Sequence, residues 1–338
     1  MLLTGAAAGL PATVIGGRRY VRTAGIAGNS RMKLSSGLSN RKYAEYRGNG
    51  HSFAVNTDSR IASIDGMRVE AAYPARCLWG RFFISEADYL FTFNPLLAPW
   101  TAKKHPVRRI VIDAGHGGKD RGASGRVSVE KNITLSLALR TAQILNSCGY
   151  KAVLTRSRDQ YVDLEKRAGI QRLAGGDLFV SIHVNSAVRP VSGIETFCLT
   201  PAGTPSSGKN TVTYQKDPGN AFDANNILLA ARLHKALLRR TQAEDRGLKR
   251  ARFVVLRQIN CPGVLLEVGF ISNASEEIRL GQAAYREQLA RGIAEGIIMY
   301  HRAVLPPKPV KKASPAPRVG TAPAKNAKTV QRNKKVLK

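Results

Sequence analysis

His116, Glu130, His183 and Glu267 are the residues of this chain best suited to chemistry. Two imidazoles and a carboxylate can fill three positions around a zinc ion and leave the fourth open. A second carboxylate beside them can move a proton to and from water. Each of the four lies in a run that packing alone does not explain: IVIDAGHGG (110–118), EKNITLSLAL (130–139), DLFVSIHVN (177–185) and GVLLEVGFISN (263–273). If all four converge, the chain is a metallohydrolase.

Each residue also has a blander reading. His116 follows a short apolar strand and precedes Gly117 and Gly118, so it can fill a turn or sit where ligand sites form, at the carboxyl ends of sheet strands. The glycines could instead cradle phosphate, but GxxxxGK[ST] is absent. Along 178–185, Phe179, Ser181, His183 and Asn185 share one strand face, while Leu178, Val180, Ile182 and Val184 share the other. The second face must be core, and the first turns polar toward its carboxyl end. Glu130 by itself reads as an acid complementing a helix N-terminus; beside the two histidines it becomes a ligand candidate. Glu267 interrupts Val264, Leu265, Leu266 and Val268, where an unpaired carboxylate would cost several kcal/mol (~1–3 or more) or stay protonated. It needs a partner, either an arginine or an activated water. Asp113 could orient a ligand histidine or serve a turn.

The elements that must position these residues alternate. Strands are predicted over 110–112, 151–155, 177–185, 254–256 and 264–268, and helices over 130–147, 164–173, 227–238 and 288–300. Gly149 closes the first of these helices. This pattern predicts an α/β fold: a mixed, mostly parallel sheet flanked by helices on both faces. Residues 1–100 read as a small α+β module. In it 12–20 form a strand, a Gly pair and a strand start, and Asp65-Gly66 turns a hairpin. A helix begins near 82–87 with Ser85 as its cap, and Phe93-Asn94-Pro95 ends it. Residues 101–106 are a linker, 107–304 the chemical domain, and 305–338 a Pro- and Lys-rich tail expected to be disordered.

The 338-residue chain carries a formal charge of +30. From Arg302 to Lys338 there are eleven Lys and Arg and no acid, and the first forty residues contain no acid either. Such charge suits anionic envelope polymers or lipid, and equally a solvated tail. Cys77, Cys148, Cys198 and Cys261 show no metal-type spacing, so thiolates are not expected as ligands. Residues 1–12 are small and apolar, readable as a weak or incomplete signal peptide or as the first strand.

With these residues in place, 107–300 resembles the zinc-dependent N-acetylmuramoyl-L-alanine amidases of the amidase-3 type. The motifs stand in order: DAGHGGKDRGASG (113–125), EK (130–131), LTRSRD (154–159), SIHVNS (181–186), GIET (193–196), RGLKRARFVVL (246–256) and LLEVGFISN (265–273). The resemblance implies one zinc ion per chain, held by His116, Glu130 and His183, with Glu267 as catalytic base. It implies hydrolysis of the amide between muramic acid and L-alanine of the peptidoglycan stem peptide, hence a role in wall turnover and cell division. It also implies an exported protein of the periplasm or cell envelope, expected to act as a monomer and not to bind nucleic acid. Division-associated relatives can carry a helix that plugs the zinc site; residues 200–225 here are rich in Pro, Gly, Ser and Thr, and no such helix is expected. More faintly, GGRRYVRTAGIA (16–27) and SIDGMRVEAAYPA (63–75) resemble the copper amine oxidase N-terminal-like domain, implying a binding or spacing module without copper. Two other readings compete: a zinc peptidase or carboxypeptidase on wall peptides, and a non-enzymatic polyanion-binding protein.

Overall fold

The computed structural model describes residues 10–37, 42–188 and 190–305. Most of the 1–12 stretch read as a leader, and all but the first residue of the 305–338 basic tail, therefore lie outside the described residues.

The first hundred residues are mostly short strands. They run β1 (Ala12–Ile15), β2 (Arg18–Arg22), α1 (Thr23–Asn29), β3 (Lys33–Ser36), β4 (Tyr43–Gly48), β5 (His51–Asn56), β6 (Ile61–Ile64), β7 (Met67–Glu70), β8 (Arg76–Leu78), β9 (Arg81–Ser85), α2 (Glu86–Asp88) and α3 (Asn94–Leu97). The Asp65-Gly66 hairpin forms as expected, both residues having positive φ (52° and 80°), the twist a two-residue turn between β6 and β7 demands. The helix expected from residue 82 is a strand instead up to Ser85. Phe82, Phe83 and Ile84 are all buried, and β9 pairs with β2 and β8. Ser85 does cap α2, accepting from the Asp88 backbone N–H at 3.0 Å. The chain then stays helical through a π turn (Tyr89–Phe93) into α3, so Phe93-Asn94-Pro95 does not stop it; Pro95 sits in the first turn of α3, where its missing N–H is harmless.

The second part alternates strand and helix: β10 (Arg109–Ala114), α4 (Glu130–Ser147), β11 (Lys151–Leu154), α5 (Leu164–Ala174), β12 (Leu178–Asn185), β13 (Ile194–Leu199), β14 (Thr204–Pro205), β15 (Val212–Thr213), α6 (Asp223–Thr241), β16 (Asp245–Ala251), α7 (Val254–Arg257), β17 (Gly263–Phe270), α8 (Ala274–Gly281) and α9 (Ala283–Val304). The sheet order is β11-β10-β12-β17-β13-β16. Every neighbouring pair in it is parallel except β17 with β13, so the sheet is mixed and mostly parallel. It does not stop at β16. Leu248 pairs with Val69 of β7, and the antiparallel β7-β6-β5-β4-β3 meander extends the same sheet to eleven strands. A chain of bonds running from the core to the surface secures this junction: Thr196 Oγ1 to His234 Nδ1 (2.9 Å), His234 Nε2 to Asp245 Oδ1 (2.8 Å), and Arg68 N–H to Asp245 Oδ2 (2.8 Å).

Strand alternation divides the core in two. Ile110, Ile112, Val180, Ile182, Val264 and Leu266 face α4, α6 and α9, whose Leu137, Leu233, Ile293 and Ile297 are fully buried; each is worth about 1.5–3 kcal/mol of transfer free energy. Val111, Phe179 and Leu265 face the opposite layer, with Ala168 of α5 and Val255 and Leu256 of α7. The run 254–256, expected as a strand, is therefore helical. β16 already ends at Ala251, and an apolar run this short carries no periodicity to separate strand from helix. Residues 200–222 form a two-stranded β-ribbon and a 3₁₀ turn (Pro218–Phe222), without an α-helix.

Candidate active site

The four residues meet at the carboxyl ends of β10, β12 and β17. His116 follows β10 through Gly115 and takes a left-handed backbone (φ 59°), uncommon for a residue with a Cβ and found where a turn is dictated by function. Glu130 opens α4. Its N–H bonds Ala123 O (2.9 Å), and its Oε2 accepts from Ala123 N–H (2.8 Å), so loop and helix start are pinned to each other. His183 lies on the polar face of β12, opposite Glu267 in the parallel β17.

Glu130 Oε1 stands 3.1 Å from His116 Nε2 and 3.0 Å from His183 Nδ1. One donor atom from each of the three residues falls within 4.8 Å of the others. Asp120 Oδ2 takes the far nitrogen of His116, Nδ1, at 2.8 Å, which fixes the ring with Nε2 facing inward. Burial alone would raise the Glu130 carboxyl; hydrogen bonds from His116 and His183 outweigh it and hold the group well below the carboxylate range. Glu267 is the opposite case. Burial first, then the charges of Glu130 and Glu195, push its carboxyl well above the ordinary value. Its Oε2 is shut off from solvent and has no hydrogen-bond partner among the described residues, an arginine included. His116, His183 and Glu267 open into a cavity of about 340 Å³, walled by Leu164, Phe253, Val254 and Leu265.

A family model described as N-acetylmuramoyl-L-alanine amidase, of the amidase-3 type, matches residues 110–299. The chain belongs to this amidase family. AmiA of Escherichia coli is 33% identical over 243 residues, which span 64% of this chain and 84% of AmiA. LytC of Bacillus subtilis is 36% identical over 201 residues, 59% of this chain and 37% of LytC. Among solved structures, the catalytic domain of CwlV, an N-acetylmuramoyl-L-alanine amidase from Bacillus (Paenibacillus) polymyxa, superposes with a TM-score of 0.50 at 34% identity, over 58% of this chain and 99% of that domain.

The amidase site rests on polar groups that the sequence reading assigned differently or passed over. Asp113, read as a possible orienter of a histidine, touches neither one. It is buried and accepts from Thr155 (2.7 Å), Ser181 (2.7 Å) and Arg167 (2.7 Å). The histidine is oriented by Asp120, four residues along its own loop. The DxG run 120–122 offered a turn signal but nothing to show that it folds back on His116. Arg167 also donates to the carbonyls of Ala114 (2.6 Å), His116 (2.8 Å) and Val162 (3.0 Å). Arg156, equally buried, holds the Ala114 and Gly115 carbonyls (3.0 and 2.8 Å). Gly115 is required by close approach: a Cβ there would lie 2.5 Å from the His183 ring. Glu195 of β13 sits opposite Glu267 on its other side.

Proposed function

We propose that the chain hydrolyses the amide joining the lactyl group of N-acetylmuramic acid to L-alanine of the peptidoglycan stem peptide, with one zinc ion held by His116, Glu130 and His183. The observation that carries this reading is the convergence of two imidazole nitrogens and a carboxylate oxygen beside an orphan buried carboxylate oxygen. That donor set suits zinc with an open position, and Asp120 behind His116 is the second layer such a ligand uses. Arg167 and Arg156 hold the His116 loop by its carbonyls, so the nitrogen is aimed before any ion arrives. When bound, zinc polarises the scissile carbonyl and makes water acidic near neutral pH.

Glu267 takes the proton that the attacking water releases. It then passes that proton to the alanine nitrogen as the C–N bond breaks, leaving a lactyl carboxylate and a free amine. Burial raises the basicity of this carboxyl group, which favours its taking a proton from water.

Metal content and muropeptide products of wild type beside Glu267→Ala test this. The expectation is one zinc per chain in both, sugar strands freed of peptide from wild type, and a rate loss of about 10²–10⁴ in the variant. Loss of a terminal D-alanine would instead mean a carboxypeptidase, and full activity in the variant would remove the mechanism. The same reading places the protein, as a monomer, in the periplasm or cell envelope, where its substrate is. No helix among the described residues is long and apolar enough to cross a membrane. Residues 1–100 serve in this view as a binding or spacing module, and the basic tail as a contact for anionic envelope polymers or lipid.

A further inference from the structure

Glu195 is a buried carboxylate with an unusual environment. Arg246 Nε (2.9 Å) and Lys249 Nζ (2.5 Å) both reach the same oxygen, Oε1, while Asn185 Nδ2 (3.1 Å) donates to Oε2. Two cations thus share one acid. The next acid, Glu244, lies 3.8 Å from Arg246, beyond hydrogen-bond distance, and is itself 59% exposed. The cations are not buried with their partner: the Arg246 and Lys249 side chains are 27% and 21% exposed against 5% for Glu195. Their remaining N–H donors therefore have an outlet. Lysine carries three donors and arginine five, and Glu195 takes one from each.

Strand register places this pair. Glu195 lies opposite Glu267, Phe197 opposite Leu265, and Lys249 opposite Phe197, so all share one face of the sheet. Phe197 stacks edge-on against Phe253 at 5.4 Å between centroids, and Phe253 and Leu265 wall the active-site cavity. Glu195 is therefore one strand spacing, ~5 Å, to the side of Glu267, and the ammonium it holds reaches in from β16, the next strand out, ~5–10 Å from Glu267. An extended peptide advances about 3.4 Å per residue. A ligand whose scissile amide lies at Glu267 brings its first or second peptide residue to the cations.

We propose that Lys249 and Arg246 form an anion subsite for a carboxylate carried within two residues of the scissile amide, on its peptide side. This rests on the amidase reading. Glu195 is the positioning residue: it anchors both cations, which remain partly exposed beside it. The aromatic pair Phe197 and Phe253 supplies the apolar floor between subsite and hydrolytic centre.

Two substrates differing only in charge test it: N-acetylmuramoyl-L-alanyl-D-glutamic acid with both carboxylates free, and its diamide. Wild-type holoenzyme is expected to favour the acid by about 10- to 100-fold in kcat/KM, mainly through KM, as one charge-assisted contact allows. Lys249→Gln should bring that ratio toward one, and Lys249→Arg should keep it. Should Lys249→Gln fail to fold, the Lys249→Gln/Glu195→Gln pair removes the orphaned acid and is expected to give the same collapse. Calorimetric binding of both compounds to Glu267→Gln protein should reproduce the preference without turnover. A wild-type ratio near one, or an unchanged ratio in Lys249→Gln, overturns the subsite. A loss of activity on acid and diamide alike in the variant also overturns it, since that is a purely structural effect. Cleavage of neither compound by wild type would remove the amidase reading and the subsite together, a result distinct from a ratio of one.

Discussion

Replacing Arg167 by Met tests whether the hydrolytic loop is held by a buried charge. The Arg167 and Asp113 side chains are 3% and 1% exposed, with 2.7 Å between Nη1 and Oδ1. Burial would raise Asp113, but the Arg167 charge and hydrogen bonds from Ser181 and Thr155 outweigh it and hold the carboxyl below its usual value. At an effective dielectric of about 20, unit charges ~4 Å apart attract by about 4 kcal/mol. Breaking a buried pair from one side costs about 3–5 kcal/mol. Removing Arg167 also strips donors from the Ala114, His116 and Val162 carbonyls. The expected loss at pH 8 is therefore about 3–5 kcal/mol of unfolding free energy, read by urea denaturation. The sign with pH is set by the acid left behind. In wild type Asp113 is depressed, so its contribution is present above the unfolded-state value near 4 and fades only in stronger acid. In the variant burial raises it, so the penalty is small in acid, where Asp113 is protonated, and grows as pH rises. Adding Asp113→Asn should restore about 2 kcal/mol or more at pH 8. A loss under about 1 kcal/mol at pH 8, or strict additivity of the two changes, would refute the argument.

Two further outcomes rest on single contacts. Gly115→Ala puts a methyl 2.5 Å from the His183 ring, so zinc affinity in competition with a chelator should fall about 10- to 100-fold while the thermal midpoint barely moves; unchanged affinity would show that the ring is free to shift. Burial pushes the Asp223 carboxyl up to about 6 against Arg250 and Asn220, so folding favours its protonated form and the benefit is lost as pH rises through about 6. The shift corresponds to at most about 3 kcal/mol, less about 0.3–1 for a charge at the start of α6. Asp223→Asn should thus stabilise the protein by about 1–2 kcal/mol at pH 8 and not at pH 4; equal effects at both values would contradict the burial argument.

What the sequence disclosed was local. α4 was readable because Ile133, Leu137, Thr141 and Ile144 recur at helical spacing, with Leu145 beside them, and Gly149 marks its end. The two faces of β12 were legible from strict alternation, and the interruption at Glu267 from one charge in an apolar run. What stayed hidden depends on partners far along the chain. β16 reads DRGLKRA, too charged to look like a strand, and becomes one because β13 and β7 flank it and Glu195 answers its cations. The supporting roles of Arg167 and Arg156 had no signal either: a buried arginine looks the same in sequence as an exposed one until the carbonyls it binds are placed.

The position of Glu267 explains why one carboxylate can stay both buried and unpaired. β17 is the strand where the sheet changes sense, parallel to β12 on one side and antiparallel to β13 on the other. In this register His183 and Glu195 both stand opposite Glu267, one on each side, on the same face. The neighbours differ in kind. Glu195 keeps its charge and is already held by Arg246 and Lys249, so it repels Glu267 without offering it a partner, while His183 is turned to Glu130. Glu267 is left with one oxygen shut off from solvent, like-charged neighbours and one direction in which to act, toward the cavity. An arginine moved within reach of it would relieve the strain and, by lowering its basicity, remove the reason for its being there.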